Sequence, residues 1–430
     1  MKKIFAMILC LALLLSSAAM AETAPDILSA FENTGKVNGT LETEVTLSVN
    51  EDAFTMIAAG SSGNAEQVAQ IVKPIVAIIN NLKFKVLTDN GNMQLDLLLK
   101  DTALASFASK KGEDGTMAIV TDLLPDYIIK ADMAKAGVAG TAGVQLTEDE
   151  QKAIAEAGKA RLNQYLEDIK AKLGEKETGS WVFDGVTFTE RQPLNMTAKE
   201  VSVMTLKAFK DLVEDPAMKK VTDALGDKFD ASKLDEAIAN AEQKEDSEYP
   251  AMTWYSYTNA EGNECYEVTM EKDSEKTAMI FTVIGKKVAM HADIDAKNKG
   301  KIEGLVDAEN LTVSINADVD ANGTPANIAF ELAAHEDGSF TGTIALSMNG
   351  MKMFALDMNA KASSEQITAS FDEEGKKVVP LEALSDNSSA ESKEVMNALM
   401  TTLPGLLQKA MKVMPDEVNV LITLLSGASK

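Results

Sequence analysis

Residues 311–319 alternate without a break. Leu311, Val313, Ile315, Ala317 and Val319 fall on one face of an extended chain, while Thr312, Ser314, Asn316 and Asp318 fall on the other. Successive strand side chains point to opposite faces, so this spacing predicts a strand dry on one side and wet on the other. The pattern recurs with Tyr266, Val268 and Met270; with Val288, Met290, Ala292 and Ile294; with Ile328, Phe330 and Leu332; with Phe340, Ile344, Leu346 and Met348; and with Ile367, Ala369 and Phe371. Short polar stretches separate the runs. A series of this kind predicts an antiparallel meander with one apolar and one solvated face.

The breaks between runs share a chemistry. "TDNGN" at 88, "GEDGT" at 112, "NAEGN" at 259, "HEDGS" at 335, "MNGM" at 348 and "DEEGK" at 372 each place Asn, Asp or Glu before a Gly, the residue best able to take the positive φ of a tight hairpin turn. "DVDANG" at 318 looks different at first, because Asp318, Asp320, Asn322 and Gly323 match the opening of a calcium loop. Such a loop needs a bidentate acid at its twelfth position, which here is Ala329, and its eighth is Pro325. Both flanks read as strands, so the stretch is expected to be another hairpin tip.

The first half of the chain mixes types. Strands are predicted over 40–49, 82–89, 92–99, 116–121, 126–131 and 180–191, with helices near 65–80, 147–173, 198–225 and 232–245. Thr147 with Glu150 and Thr197 with Glu200 have capping-box spacing, which marks two helix starts. Near the end, Val395, Met396, Leu399, Met400, Leu403, Leu406, Leu407, Ala410, Met411 and Met414 recur every three or four residues, a wide apolar helical stripe with Pro404 inside it. That helix, and the one holding Val201, Met204, Phe209, Leu212 and Val213, can cover the apolar sheet face. The expected fold class is therefore α+β: a long curved antiparallel meander, half-barrel-like, with amphipathic helices on its apolar face. The acidic stretch "AEQKEDSEYP" at 241–250 is the expected seam between a mixed lobe, 22–248, and a meander with terminal helices, 249–430, and one continuous sheet can join the two.

Residues 1–21 have the layout of a cleaved secretory leader: Lys2 and Lys3, an apolar run, then Ala19-Met20-Ala21. The expectation is a secreted or periplasmic protein without a transmembrane segment, cleaved near Ala21. Cys10 lacks the flanking pattern of a lipoprotein site. Loss of Lys2 and Lys3 takes the formal charge from −25 to −27, and the remaining cations are dispersed among acids, so nucleic acid is not an expected partner. With Cys265 alone after the leader, no internal disulfide can form, and the core must hold the fold.

Chemistry is sparse. The two histidines, His291 and His335, fall on polar strand faces beside Lys287 and Asp293 and beside Asn327 and Glu331, and neither begins a His-Glu-x-x-His helix. Nucleophile elbow, Ser-x-x-Lys and phosphate-loop patterns are missing from the sequence. Cys265 lies between Glu264 and Glu267, which disfavours a thiolate. Carboxylates are abundant, so a hydrolytic pair is a distant third reading. No catalytic, cofactor or metal residues are expected. Methionine is frequent: 22 in all, 19 outside the leader. Thioethers adapt to irregular apolar shapes, which suits either a core or an acyl-chain cavity. Trp181, Trp254, Tyr255 and Tyr257 are expected to line one edge.

In the order of its elements over residues 40–425, a meander followed and interrupted by amphipathic helices behind a secretory leader, the chain resembles the LolA and LppX type of extracytoplasmic lipoprotein carriers. "GVTFTERQPLNMTAKEVSVMTLKAFKDLVEDPAMKKV", 185–221, also resembles a strand-then-helix unit common in secreted bacterial proteins. The resemblance implies an incomplete barrel whose concave side holds acyl chains. The expected function is non-enzymatic binding of a lipid or other apolar ligand, and the residues expected to line the site are Met270, Met290, Phe330, Phe340, Leu346, Met348, Met358, Met400, Leu403 and Leu407. The alternative is a cell-envelope structural or interaction module that meets an envelope protein and holds no small ligand.

Overall fold

The computed structural model describes residues 40–62, 65–89, 91–112, 116–132, 148–225, 232–295, 299–321, 323–335, 337–385 and 389–427. In chain order the elements are β1 (Thr40–Val49), α1 (Glu51–Ser62), α2 (Ala65–Ile79), β2 (Leu82–Asp89), β3 (Asn92–Leu99), β4 (Thr102–Lys111), β5 (Thr116–Thr121) and β6 (Tyr127–Asp132). They continue as α3 (Glu148–Lys170), β7 (Glu177–Phe183), β8 (Val186–Pro193), α4 (Ala198–Val213), α5 (Lys219–Leu225), α6 (Ser232–Gln243), β9 (Ala251–Thr258), β10 (Glu264–Lys272), β11 (Glu275–Ile284), β12 (Lys287–Asp295), β13 (Lys299–Asp307) and β14 (Thr312–Ala321). The last are β15 (Thr324–Ala334), β16 (Phe340–Met348), β17 (Met351–Ser363), β18 (Lys377–Pro380), α7 (Leu381–Ser385), α8 (Ala390–Val413) and α9 (Pro415–Gly427). The fold class is α+β with mostly antiparallel pairing, as the alternation requires.

The described residues fall in two compact units, a mid-chain unit within 139–325 and a two-segment unit within 31–138 and 326–430. The expected seam at 241–250 lies inside the mid-chain unit. There Tyr249 Oη donates to the carbonyl of Ala241, Lys272 Nζ to that of Glu248, and β9 pairs directly with β8, so the acidic stretch is tied down on both sides.

The mid-chain ladder runs β7, β8, β9, β10, β11, β12, β13, β14, with every step antiparallel. One face carries Trp254, Val268, Met279, Phe281, Met290 and Ala292, and α3 and α4 cover it with Tyr165, Ile169 and Val201. The opposite face is not simply solvated. The sequence predicts one strand over 180–191, but Asp184 and Gly185 take φ of 49° and 76° and fold the segment into a β7–β8 hairpin. That hairpin roofs the second face with Trp181, Phe183 and Phe188 against Tyr257, Cys265 and Ile280. The four expected edge aromatics are thus split, Trp254 under the helices, Trp181 in the hairpin itself, and Tyr255 and Tyr257 beneath it. Helix α4 begins with the expected capping box: Thr197 Oγ1 accepts from Glu200 N and Glu200 Oε2 from Thr197 N. It stops at Val213, because Asp215 caps a separate 3₁₀ turn at Pro216–Met218 and proline cannot continue the helix. The other capping pair lies partly outside the described residues, at Thr147.

In the two-segment unit the ladder runs β15, β16, β17, β1, β2, β3, β4, β5, β6, all antiparallel. It ends on β18, which lies parallel to β6. Residues 367–371, expected as a strand, join no ladder. Thr368 N donates instead to the Gln94 side chain, and Ala369 and Phe371 pack on Ala108, Val120 and Ile128, so their alternation serves packing and not pairing. Helix α8 runs through Pro404 from Ala390 to Val413. Its Val395 packs with Leu124 and Val379, while Ala410, together with Met414 and with Val418 of α9, covers Leu99 and Leu104.

Candidate functional site

The register of the two-segment ladder lines up apolar side chains in rows across its strands. Phe330 faces Ile344, Ile344 faces Leu356, and Leu356 faces Leu47. The neighbouring row is Ile328, Leu346, Phe354 and Val49, and the row on the other side is Leu332, Gly342, Met358, Val45, Phe84 and Leu97. Beyond it, Ala334, Phe340 and Ala360 continue the face. Adjacent strands lie about 4.8 Å apart and alternate residues about 7 Å apart, so the first three rows span roughly 15 Å by 14 Å over β15, β16, β17 and β1 alone.

Helices cover part of this face. Leu97 and Leu99, on the same side as Phe84 and Met358, lie under α8 and α9, with Ala77 and Ile78 of α2 beside them. Helix α1 meets β17 and α2 meets β1, but among the described residues no helix packs on β15 or β16: Ile328 is 52% exposed and Ile344 42%, and Phe330, Leu346, Phe354, Leu356 and Leu47 stay half-buried. Soluble surfaces scatter single apolar side chains freely, but a contiguous block rimmed by polar residues marks a contact surface. The reverse face of the same strands carries polar pairs, with Thr343 Oγ1 donating to Asp357 at 2.8 Å, although Ala355 there is fully buried. Further along it, Lys85 and Lys361 lie 3.3 Å from the buried Glu42. Burial pushes the Glu42 carboxyl up, but hydrogen bonds from Ser363, Lys361 and Lys85 outweigh it and hold the group below the usual range.

The residues expected to line an apolar site divide three ways. Phe330, Phe340, Leu346 and Met358 share the open face, and Met348 lies at the same strand's end, opposite Ala326 and Met351. Met400 and Leu403 stand out from α8, 60% and 46% exposed, while Leu407 is partly buried on that helix. Met270 and Met290 belong elsewhere: both pack in the mid-chain core under α3 and α4, Met290 buried among Met279, Phe281 and Ala292. Periodicity alone cannot separate a face that a helix covers from one left open. Ile328 and Ile344 share the alternation of the residues expected beside them, while Phe354, Leu356 and Leu47 are additions that only register supplies.

A polar cluster under the mid-chain hairpin gathers residue types that could suggest catalysis. Asp184 Oδ1 lies 2.9 Å from His291 Nε2, and its other oxygen accepts from Thr282 Oγ1. The one carboxylate takes both partners, so the imidazole does not face the hydroxyl and no Ser-His-Asp-like relay is set up. His291 is accordingly not a free, solvated histidine: it anchors the hairpin tip to β12. His335 sits at a turn, with Nε2 3.3 Å from Thr341 Oγ1. Cys265 is fully buried beneath the hairpin, and burial, then the Glu267 and Asp184 charges, push its thiol far up. Tyr257 donates to Glu267 at 2.6 Å and is raised by burial and by that carboxylate. Arg191 stacks between Trp181 and Tyr255, 4.9 and 4.7 Å from their ring centroids, and pairs with Glu177 at 2.7 Å. The Asp184 bonds to Thr282 and His291, and the stacking of Arg191 on Tyr255, fasten the hairpin to the sheet.

At the "DVDANG" tip, Gly323 has φ of 84° and donates its N–H to Asp320 Oδ1 at 2.7 Å. Asp318 and Asp320 oppose Lys301 and Lys299 across the ladder. The carboxylate closes an Asx turn, which is a hairpin's use for it. Asn322 lies outside the described residues. Among the described residues, no helix is long and apolar enough to cross a membrane. Comparison with family models, with curated proteins and with solved structures finds no match to this chain.

Proposed function

We propose that the chain is a non-enzymatic extracytoplasmic protein that holds a lipid or other apolar ligand on the open face of its two-segment unit, the sheet there curving around it as a half-barrel. The observation that carries the reading is the contiguous set of apolar rows through Ile328, Phe330, Ile344 and Leu356, left half-exposed where, among the described residues, no helix packs on β15 or β16. A folded chain gains by burying such a surface, at about 25 cal/mol for each Å² removed from water, and an alkyl chain can supply the cover. The exposed Met400 and Leu403 offer adaptable contacts on α8. The leader-like residues 1–21 support delivery out of the cytoplasm. The clamp geometry of Asp184, Thr282 and His291 supports a structural use of the residues that would otherwise suggest an enzyme.

The test is titration of the full chain with the fluorescent apolar probe N-phenyl-1-naphthylamine, followed by displacement with palmitate. Saturable binding, lost when Phe330 and Ile344 are replaced by Lys in a chain that keeps its far-ultraviolet circular dichroism, supports the reading. Absence of saturable binding overturns it.

A further inference from the structure

Strand β16 carries a glycine in the middle of the open face. Gly342 stands between Phe340 and Ile344 along the strand, and the register sets Leu332 of β15 on one side of it and Met358 of β17 on the other. Glycine weakens a strand interior, because it orders the freest backbone and packs no side chain, so its presence there has a local cause.

The usual causes do not apply at Gly342. Its φ is outside the left-handed region, so an L side chain is allowed. The register with β15 runs through it unbroken, and the irregularity against β17 lies further along, at Leu346/Ser347. No neighbouring main chain crowds it: a Cβ at this position would lie 3.5 Å from the carbonyl oxygen of Glu331, an ordinary contact. At Gly300 of β13, by contrast, a Cβ would lie 3.2 Å from the carbonyl oxygen of Asp318, and that close approach accounts for the glycine. What closes on Gly342 is a pair of side-chain ends. Leu332 Cδ1 and Met358 Cε each lie 3.2 Å from the Cβ position, and the glycine is buried beneath them. Both ends belong to half-buried residues on a face where no helix packs on β15 or β16 among the described residues, and an unbranched thioether reorients at small cost. With the two ends swung aside, a notch one carbon deep opens, floored by backbone and walled by Phe340, Ile344, Leu332 and Met358. A notch closed on four sides admits a group that stands off from a chain, while the chain itself lies over the taller side chains around it.

We propose that Gly342 is the specificity-determining residue of the open face, and that the apolar ligand is a methyl-branched, isoprenoid-like chain with one branch methyl seated over this glycine. The inference rests on the reading of that face as a ligand site and adds the ligand's shape to it. Gly342→Ala places a methyl of the protein's own in the notch. On a face that is merely apolar, an added methyl strengthens binding or leaves it unchanged; in a seat, it competes with the ligand. Displacement of N-phenyl-1-naphthylamine from the full chain compares phytanate with palmitate, which share a carboxylate and a main-chain length and differ in branch methyls, each below its micellar concentration. The wild-type chain prefers phytanate. Gly342→Ala weakens phytanate about fourfold, the effect of returning one methyl-sized group to water, and leaves palmitate within about twofold. Thermal unfolding separates a packing role, because alanine suits an extended strand better than glycine and the variant melts at or above the wild-type temperature. Equal weakening of both acids, unchanged phytanate affinity, or a variant that melts several degrees lower overturns the inference, while saturable probe binding by the wild-type chain leaves the ligand site standing. A wild-type chain that binds no probe overturns both.

Discussion

Replacing Ile328 and Ile344 together by Thr probes the open face at its centre while keeping the β-branched side chains that strands favour. Complete burial of an isoleucine contributes roughly 1.5–3 kcal/mol. Ile328 leaves 52% and Ile344 42% of its surface uncovered, so each has about 1 kcal/mol still available to an apolar ligand. Loss of most of that at both positions weakens binding by about 2 kcal/mol, which is about thirtyfold in Kd. The parts already covered contribute about as much to the fold, so the same variant loses roughly 2 kcal/mol of stability and melts a few degrees lower. Two assays separate the terms: displacement of N-phenyl-1-naphthylamine for affinity, and thermal unfolding by circular dichroism for the fold. The reasoning is refuted if probe affinity stays at the wild-type value, or if the variant unfolds as a large core deletion would, because the rows would then be core and not an open surface.

Other outcomes follow from particular contacts. Asp307 is nearly buried, 3.0 Å from Lys287, and accepts from the Asn310 side chain and from the N–H groups of Asn310 and Glu309; burial pushes its carboxyl up, these bonds outweigh it, and the group falls from an ordinary 3.8 to about 2. A depressed carboxyl contributes stability above its unfolded value and loses it as pH falls through the folded one, so Asp307→Asn costs about 2 kcal/mol at pH 7. Urea melts at pH 7 and at pH 2 check the sign: the gap between variant and wild type narrows on acidification. Met290→Ala opens the mid-chain core and destabilises by about 2–5 kcal/mol, whereas Met400→Ala, on an exposed helix face, changes stability by less than about 0.5 kcal/mol. Comparison of their denaturation midpoints reads that contrast directly. Cys265 reacts with a thiol reagent at the rate of unfolding and not at that of a free thiol, which a time course with and without denaturant measures.

Much of the meander was legible because alternation is a local signal. Strands β10, β12, β14, β15 and β16 coincide with runs read from apolar period two, and α2, α4, α6 and α8 with runs of period three to four. The misses have physical causes. Strand β4, "TALASFASKK", places small residues on its apolar face, and β13 carries Gly300 and Gly304, so neither shows an alternation strong enough to read. Helix α1 follows β1 directly, its start fixed by Asn50 Oδ1 accepting from Ala53 N, a cap without an apolar stripe to announce it. The β7–β8 turn was hidden because Asp184 and Gly185 sit within a run that alternates on both sides. The candidate site was legible only in part. Phe330, Leu346 and Met358 could be placed on an apolar face from spacing, but which strands face one another decides that Leu47 of β1 joins them, and β1 pairs with β17 across more than 300 residues of sequence. Met270 and Met290 obey the same alternation and yet lie beneath helices. Whether an apolar face is covered is a tertiary fact, and period two does not encode it.

Native mass spectrometry of the full chain, purified without detergent and followed by organic extraction of the same sample, tests the central claim most directly. The account predicts bound apolar molecules, released by extraction and absent from the Phe330→Lys/Ile344→Lys variant. A wild-type chain at its sequence mass alone, which then fails to take up added palmitate, contradicts it.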